Sequence, residues 1–392
     1  MQSIHHGEEI KMKRRSVVLA LGALALAGGV QMQTARAAEP LRIGLLLSLT
    51  GPAAPFGIPE RDVVEILARK MNEEGGINGR KIELSVYDDA TNPTEAARGA
   101  TQLIQQNNVV AIIGATTGSG TLAAAPVAMR YEVPMVAPNG TLAVTLKENK
   151  FYPWVFRSLS GDLTNTAVMF DRAIAGGAKK VGLFYQEDAY GKNTADYIAE
   201  LAKKANVTLV ETATAPLKAL DLTSQATKIR NAKPDVVLIQ ASAPALGAAF
   251  VRAARQVGLD APMWAPVGLG QKSFIEGSGE AGNGVRIVLV ANWDEPGKDL
   301  QDLGRILTAA GKPPQGFGEV IGSNALLAIT EAVKTIKGEV TGRAIRDALE
   351  KLCGIKTYSE GKMCFSPDTH DGWTGELLVS AEMRDGKFKN LK

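Results

Sequence analysis

From Leu41 to Trp293, short apolar or β-branched runs alternate with longer stretches of helical periodicity, and this alternation constrains the fold more than any other feature. LRIGLLLS at 41–48 is a continuous apolar run, the pattern of a strand buried on both faces of a parallel sheet. Val63, Val64, Leu67 and Met71 then recur at helical spacing and predict an amphipathic helix over 59–72. Strands are expected at 81–88, 109–114 and 133–138, with helices over 95–107 and 121–130 among them. A second series places strands at 179–186, 207–214, 235–241 and 261–267, separated by helices near 190–205, 222–232 and 243–257. Such repetition specifies parallel sheets with right-handed crossovers and helices on both faces. The strands outnumber one ordinary sheet of about six. The expected fold class is therefore α/β with two doubly wound lobes, the first passage between them lying near FRSLSGD at 156–162. After a strand at 285–293 come helices near 298–310, 319–337 and 341–352, then a two-stranded ending at 376–391 that turns at Asp385-Gly386.

The segment before this pattern is read as a targeting signal. Lys11, Lys13, Arg14 and Arg15 form a basic n-region, Val17 to Val30 is an apolar run of 14 residues, and Ala35-Arg36-Ala37 offers the small-x-small pattern of signal peptidase. Fourteen residues fall short of the ~20 that span a bilayer. Residues 1–37 are thus expected to be a secretory signal cleaved near Ala37, with Met1 or Met12 as the start and the periplasm as the destination. In an oxidising compartment Cys353 and Cys364, the chain's two cysteines, are expected to form a disulfide. Closing so short a loop contributes on the order of 3 kcal/mol.

Charge excludes one class of partner. The chain carries 44 Lys+Arg against 41 Asp+Glu, a net charge of +3. Residues 1–37 hold five Lys+Arg and two Asp+Glu, so the whole excess sits in the signal and the remainder is neutral. Without a concentrated basic patch, nucleic-acid binding is not expected.

Catalytic and metal constellations are equally scarce. His370 is the one histidine beyond the signal, and its context, Pro367-Asp368-Thr369-His370-Asp371-Gly372, reads as a solvated loop. GATTGSGT from Gly114 lacks the lysine of a phosphate loop, and Thr117 occupies the first glycine position of a nucleophile elbow around Ser119. GLGQKS from Gly268 lacks the third glycine of a dinucleotide fingerprint. No enzyme activity, cofactor or metal is expected.

Two turns suit a ligand instead. Strand 109–114 leads into TTGSGT, where free helix N–H groups would attract a carboxylate. Strand 133–138 leads into Asn139-Gly140-Thr141, again offering amide and hydroxyl groups. Ser119 and Thr141, with Asn139, could hold one anion from adjacent strands; helix capping is the plain alternative.

At these residues a family resemblance emerges. Leu41–Leu49 followed by Thr50-Gly51-Pro52, then NEEGGINGR from Asn72 to Arg80, then Tyr87-Asp88-Asp89 with Pro93, resemble the opening of the leucine/isoleucine/valine-binding proteins. The similarity continues through Ile113-Gly114 with Ser119, Val133-Pro134 with Ala137-Pro138, Phe156-Arg157-Ser158 and Asp188-Ala189-Tyr190-Gly191. It implies two lobes joined by three crossings that close by hinge motion on a ligand in the cleft. The lobes would comprise 38–158 with about 290–370, and 159–289 with about 371–392. It also implies an inner-membrane ABC permease as partner, no cofactor and a monomeric receptor. By the same resemblance a serine and a threonine bind the ligand carboxylate, matching Ser119 (or Gly118 under a one-residue shift) and Thr141. Phe56 and Tyr190, each before a glycine, would face the ligand, with Trp293 and Phe317 as further candidate walls or ordinary core residues.

One departure bears on the ligand. Amino-acid receptors of this type bind the ammonium group through an acidic residue in the turn after the second lobe's fourth strand, and Val267 occupies that place. Burying an unpaired ammonium costs several kcal/mol. The favoured ligand is therefore an aromatic or branched aliphatic acid lacking an α-amine. Alternatives are a true branched-chain amino-acid receptor using another acid, such as Glu319 or Asp294, and an exported sensor that signals through a membrane receptor.

Overall fold

The structure is a computed structural model that describes residues 38–359, 361–372 and 378–391. The expected signal at 1–37 lies outside the described residues, as do 373–377. The first sheet contains β1 (Leu41–Leu47), β2 (Ile82–Asp88), β3 (Ala111–Gly114), β4 (Met135–Ala137) and β5 (Val155–Arg157). Their order is β2-β1-β3-β4-β5 and every pair is parallel. The crossovers are α1 (Ala54–Glu73), α2 (Pro93–Gln105) and α3 (Gly118–Arg130). One face packs Leu103 and Ala124 of α2 and α3 against Leu46, Ile112 and Met135. The other buries Val63 and Leu67 of α1 against Ile43, Leu45 and Ile113. Because both faces are covered, β1 can be apolar at nearly every position.

The chain leaves β5 and enters α4 (Asp162–Ile174). A second parallel series follows, with β6 (Lys180–Gln186), β7 (Thr208–Ala215), β8 (Val236–Gln240), β9 (Met263–Ala265) and β10 (Arg286–Leu289). Between them lie α5 (Ala189–Lys204), α6 (Thr223–Asn231), α7 (Pro244–Gln256) and α8 (Lys272–Ser278). Neither α4 nor α8 is among the sequence expectations. The buried face of α4 comprises Asn165, Thr166, Met169, Phe170 and Ala173, so polar residues interrupt its hydrophobic stripe.

Next come α9 (Lys298–Ala309), α10 (Gly318–Thr335), α11 (Gly342–Leu349) and a small hairpin of β11 (Cys353–Lys356) and β12 (Lys362–Cys364). The expected disulfide joins Cys353 to Cys364, which are paired residues of that hairpin. The chain ends in β13 (Val379–Arg384) and β14 (Lys387–Asn390), an antiparallel hairpin that extends the second sheet beside β10. Its turn is Asp385-Gly386, both with positive φ, as a two-residue turn of this hand requires.

His370 corrects its sequence reading. It is buried rather than solvated, stacked between Tyr152 and Phe156 at centroid distances of 4.2 and 4.0 Å. Its Nδ1 lies 2.9 Å from the carbonyls of both Tyr152 and Val155. Burial lowers its pKa from 6.5 to about 4, so it is a neutral packing residue. The polar neighbours that suggest solvent carry no information about these distant aromatic partners.

Candidate ligand cavity

The carboxyl ends of the parallel strands in both sheets converge on a cavity of about 110 Å³. This is where open α/β sheets bind ligands, since the turns there present backbone donors and helix N-termini. After β3, Thr117 caps α3 by accepting from Gly120 N–H at 3.1 Å. The N–H groups of Gly118 and Ser119 belong to the first turn, which a helix leaves without internal acceptors. After β4, Thr141 stands over the start of α3. A Cβ on Gly118 would fall 2.1 Å from Thr141 Oγ1, so only glycine lets the two turns meet.

Asn139 has a different role from the expected one. Its Nδ2 donates to Ala115 O and Thr121 Oγ1, each at 3.0 Å, and its Oδ1 accepts from Thr141 N–H at 3.2 Å. With both amide protons committed, the side chain ties the turns together and has no donor left for an anion. Ser119, Thr141 and Asn139 do line one cavity, as do Phe56, Tyr190, Val267 and Phe317. Phe56 and Phe317 form a tilted aromatic pair at 5.4 Å.

Trp293 stands elsewhere. It lines a surface groove with Gly304 and Pro314, and its indole N–H donates to Gly316 O. The two acids suggested as ammonium partners are also absent from the cavity lining. Glu319 accepts from the N–H groups of Gln315 and Gly316 at 2.6 and 3.3 Å, and Asp294 accepts from Phe388 N–H at 2.7 Å.

Three other carboxyls line the cavity: Glu60, Asp162 and Asp188. Sequence reasoning passes over them because Glu60 reads as a polar position of α1 and the others as helix starts. Asp188 caps α5, accepting from Gly191 N–H and Gln186 Nε2 at 2.8 Å each. Asp162 is pushed up to about 7 by burial, opposed by the Arg157 guanidinium and a hydrogen bond with Thr141. Arg157, fully buried, donates from Nη1 to Gly140 O at 2.7 Å and pairs through Nη2 with Asp371. Asp162 N–H reaches the same Gly140 carbonyl at 2.7 Å, so that turn is held from two sides.

Glu60 is raised from 4.5 to about 8, chiefly by burial, with Asp89 and Glu319 adding repulsion against the hydrogen bond from Thr116. The folded protein thus keeps a proton that the unfolded chain releases near pH 4.5. The associated stability is complete below that value and is lost as the pH rises through about 8. The neutral isostere Glu60→Gln is expected to gain on the parent in melting temperature between about pH 5 and pH 9. A difference independent of pH would show that Glu60 is already ionised in the fold.

The family model for periplasmic binding proteins matches residues 40–387. The chain belongs to this family. Among its relatives is the leucine-, isoleucine-, valine-, threonine- and alanine-binding protein of Pseudomonas aeruginosa. The two are 24% identical over 329 residues, covering 83% of this chain and 86% of that protein. The match identifies a periplasmic binding protein of the branched-chain amino-acid type, a family of solute receptors. Two solved folds agree. A solute-binding protein of an ABC transporter from Rhodopseudomonas palustris, in complex with benzoate, has a TM-score of 0.79 at 24% identity over 90% of this chain and 95% of that one. A branched-chain amino acid transporter substrate-binding protein from Streptococcus pneumoniae, in complex with isoleucine, has a TM-score of 0.79 at 21% identity over 89% and 98%.

Proposed function

We propose that this periplasmic binding protein is the exported solute-binding component of an ABC importer, and that it closes on an aromatic or branched aliphatic acid without an α-amine. The carboxylate would meet Ser119, Thr141 and the N-terminus of α3, opposite the apolar turn Pro266-Val267-Gly268. That pairing of a donor-rich turn with an apolar one carries the reading: there is a place for one anion and, at 267, none for an ammonium. A cavity of about 110 Å³ is of the order of the roughly 150 Å³ that encloses a benzene ring in a protein interior. The relative solved with benzoate lends the ligand class support by analogy. Closure would bring together lobe 1 (38–158 with about 290–370) and lobe 2 (159–289 with about 371–392), and the closed form would dock on the permease.

Asp162 favours a second reading. It is a buried carboxyl on the cavity wall, and in its ionised form it could hold an ammonium in place of the missing acid at 267. The two readings separate by calorimetry on ligand-stripped protein with benzoate, 3-methylbutyrate and leucine. The first requires the two simple acids to bind and leucine to bind at least ~1,000-fold more weakly, the cost of an unpaired buried ammonium. Tight leucine binding that disappears in Asp162→Asn would establish the second. In either case Thr141→Ala is expected to weaken the bound acid by ~1–3 kcal/mol; unchanged affinity would remove Thr141 from the site.

A further inference from the structure

Glu60 is fully buried, lines the cavity and lies in the first part of α1, one turn after Phe56. Thr116 Oγ1 stands 2.7 Å from its Oε2, while Ser48 N–H donates to Thr116 Oγ1 at 3.1 Å. A threonine hydroxyl has a single proton. The bond runs from Thr116 Oγ1 to Glu60, so Oε2 is the accepting oxygen. The other oxygen, Oε1, has no hydrogen-bond partner among the described residues. Since burial keeps the carboxyl neutral around pH 7, the acid proton belongs on Oε1, where no protein acceptor meets it. A purely structural Glu60 would leave this cost of a buried, unmatched group unexplained. Phe56, Phe317 and Ile321 supply apolar wall to the same cavity.

We infer that Glu60 is a second ligand contact, donating from Oε1 to a neutral oxygen that the ligand carries away from its carboxylate. The ligand class then narrows from simple acids to hydroxy- or oxo-substituted ones, with hydroxybenzoates as the type. This rests on the carboxylate reading proposed above. Glu60 sets specificity, because a site built around a hydrogen bond rejects the analogue that lacks the partner more strongly than an apolar pocket rejects an added hydroxyl. A neutral donor also makes a distinctive demand. Glutamine can replace it, turning its carbonyl to Thr116 and its N–H₂ to the ligand, whereas an anionic Glu60 serving a ligand ammonium could not be replaced in this way.

The test is calorimetric titration of ligand-stripped protein with benzoate, 3-hydroxybenzoate, 4-hydroxybenzoate and leucine. The parent is compared with Glu60→Gln and Glu60→Leu. At least one hydroxybenzoate is expected to bind roughly tenfold or more tightly than benzoate. Glu60→Gln should retain that preference and Glu60→Leu should abolish it, the ratio of hydroxybenzoate to benzoate affinity within each variant being the readout. The ranking in the parent needs no variant to fold: benzoate binding as well as both hydroxylated acids overturns the inference while leaving the carboxylate reading intact. Loss of the preference in Glu60→Gln, or its survival in Glu60→Leu, also overturns it. Should none of the three acids bind, the inference falls and the carboxylate reading narrows to branched aliphatic acids; should leucine bind best, the two fall together.

Discussion

Replacing Arg157 with leucine is expected to lower the unfolding free energy by about 3 kcal/mol and to weaken ligand binding at least tenfold. The guanidinium is wholly buried and reaches in two directions, to Gly140 O in the ligand turn and to the Asp371 carboxylate on the returning chain. The backbone N–H of Arg157 donates to His370 O at 2.9 Å, a further tie to this return. Removing the cation breaks the ion pair with Asp371, leaves Gly140 O with one donor fewer, and takes away the charge that opposes burial of Asp162. Breaking one side of a largely buried pair costs more than the pair contributes, because the half-buried carboxylate left behind is only partly hydrated. Lysine should restore little, since an ammonium cannot reproduce a planar fork that bonds two groups on different segments. Urea unfolding followed by titration of each folded variant measures both effects. A loss below about 1 kcal/mol would mean that Arg157 behaves as a surface ion pair despite its burial.

The second large effect concerns ligand choice. Val267→Glu is expected to lower the affinity for a benzoate-like acid about a hundredfold or more, because two anions would face each other across a cavity closed to water. The same change supplies the carboxylate that an ammonium requires, so leucine should gain as the simple acid loses. Discrimination would then reverse through one repulsive and one attractive contact at a single position. Calorimetry with benzoate and leucine, on variant protein whose circular dichroism matches the parent, reads both arms. Unchanged binding of the simple acid would place residue 267 away from the ligand.

The sheets were legible because their signal is local. β1, β3 and β8 are apolar runs, and the stripe of α1 at Val63, Val64 and Leu67 repeats every three or four residues. Failures fell where burial depends on partners distant in sequence. α4 was hidden because Asn165 and Thr166 sit on its buried face, Asn165 beside the cavity and Thr166 accepting from Gln240 at 2.7 Å. His370 owes its burial to Tyr152 and Phe156, more than 200 residues earlier. In the cavity, the turns that carry Ser119 and Thr141 could be found because they follow strands directly. The carboxyls of Glu60 and Asp162 could not, since each looks like ordinary helix surface until the opposite sheet is in place. Asn139 was found at the right turn but with its hydrogen bonds spent on the protein, a commitment that one-dimensional spacing does not record.

The contact between α1 and α10 has a bearing on how broad a diet this receptor can have. A Cβ on Gly322 would lie 2.9 Å from both Cα and O of Glu60, and one on Gly318 would lie 2.9 Å from Phe56 O. Main chain rests directly on main chain there, and Pro59 and Val63 fill the remaining space beside the two glycines. The wall that Phe56 and Phe317 present is consequently mounted on a frame without slack, and its distance from the hydroxyl-bearing turns acts as a fixed gauge. An acid too long by one carbon would have to push two helices apart rather than displace a flexible side chain. Length discrimination would thus be enforced by glycines that never touch the solute, and loosening it would take changes in the helix packing as well as in the lining.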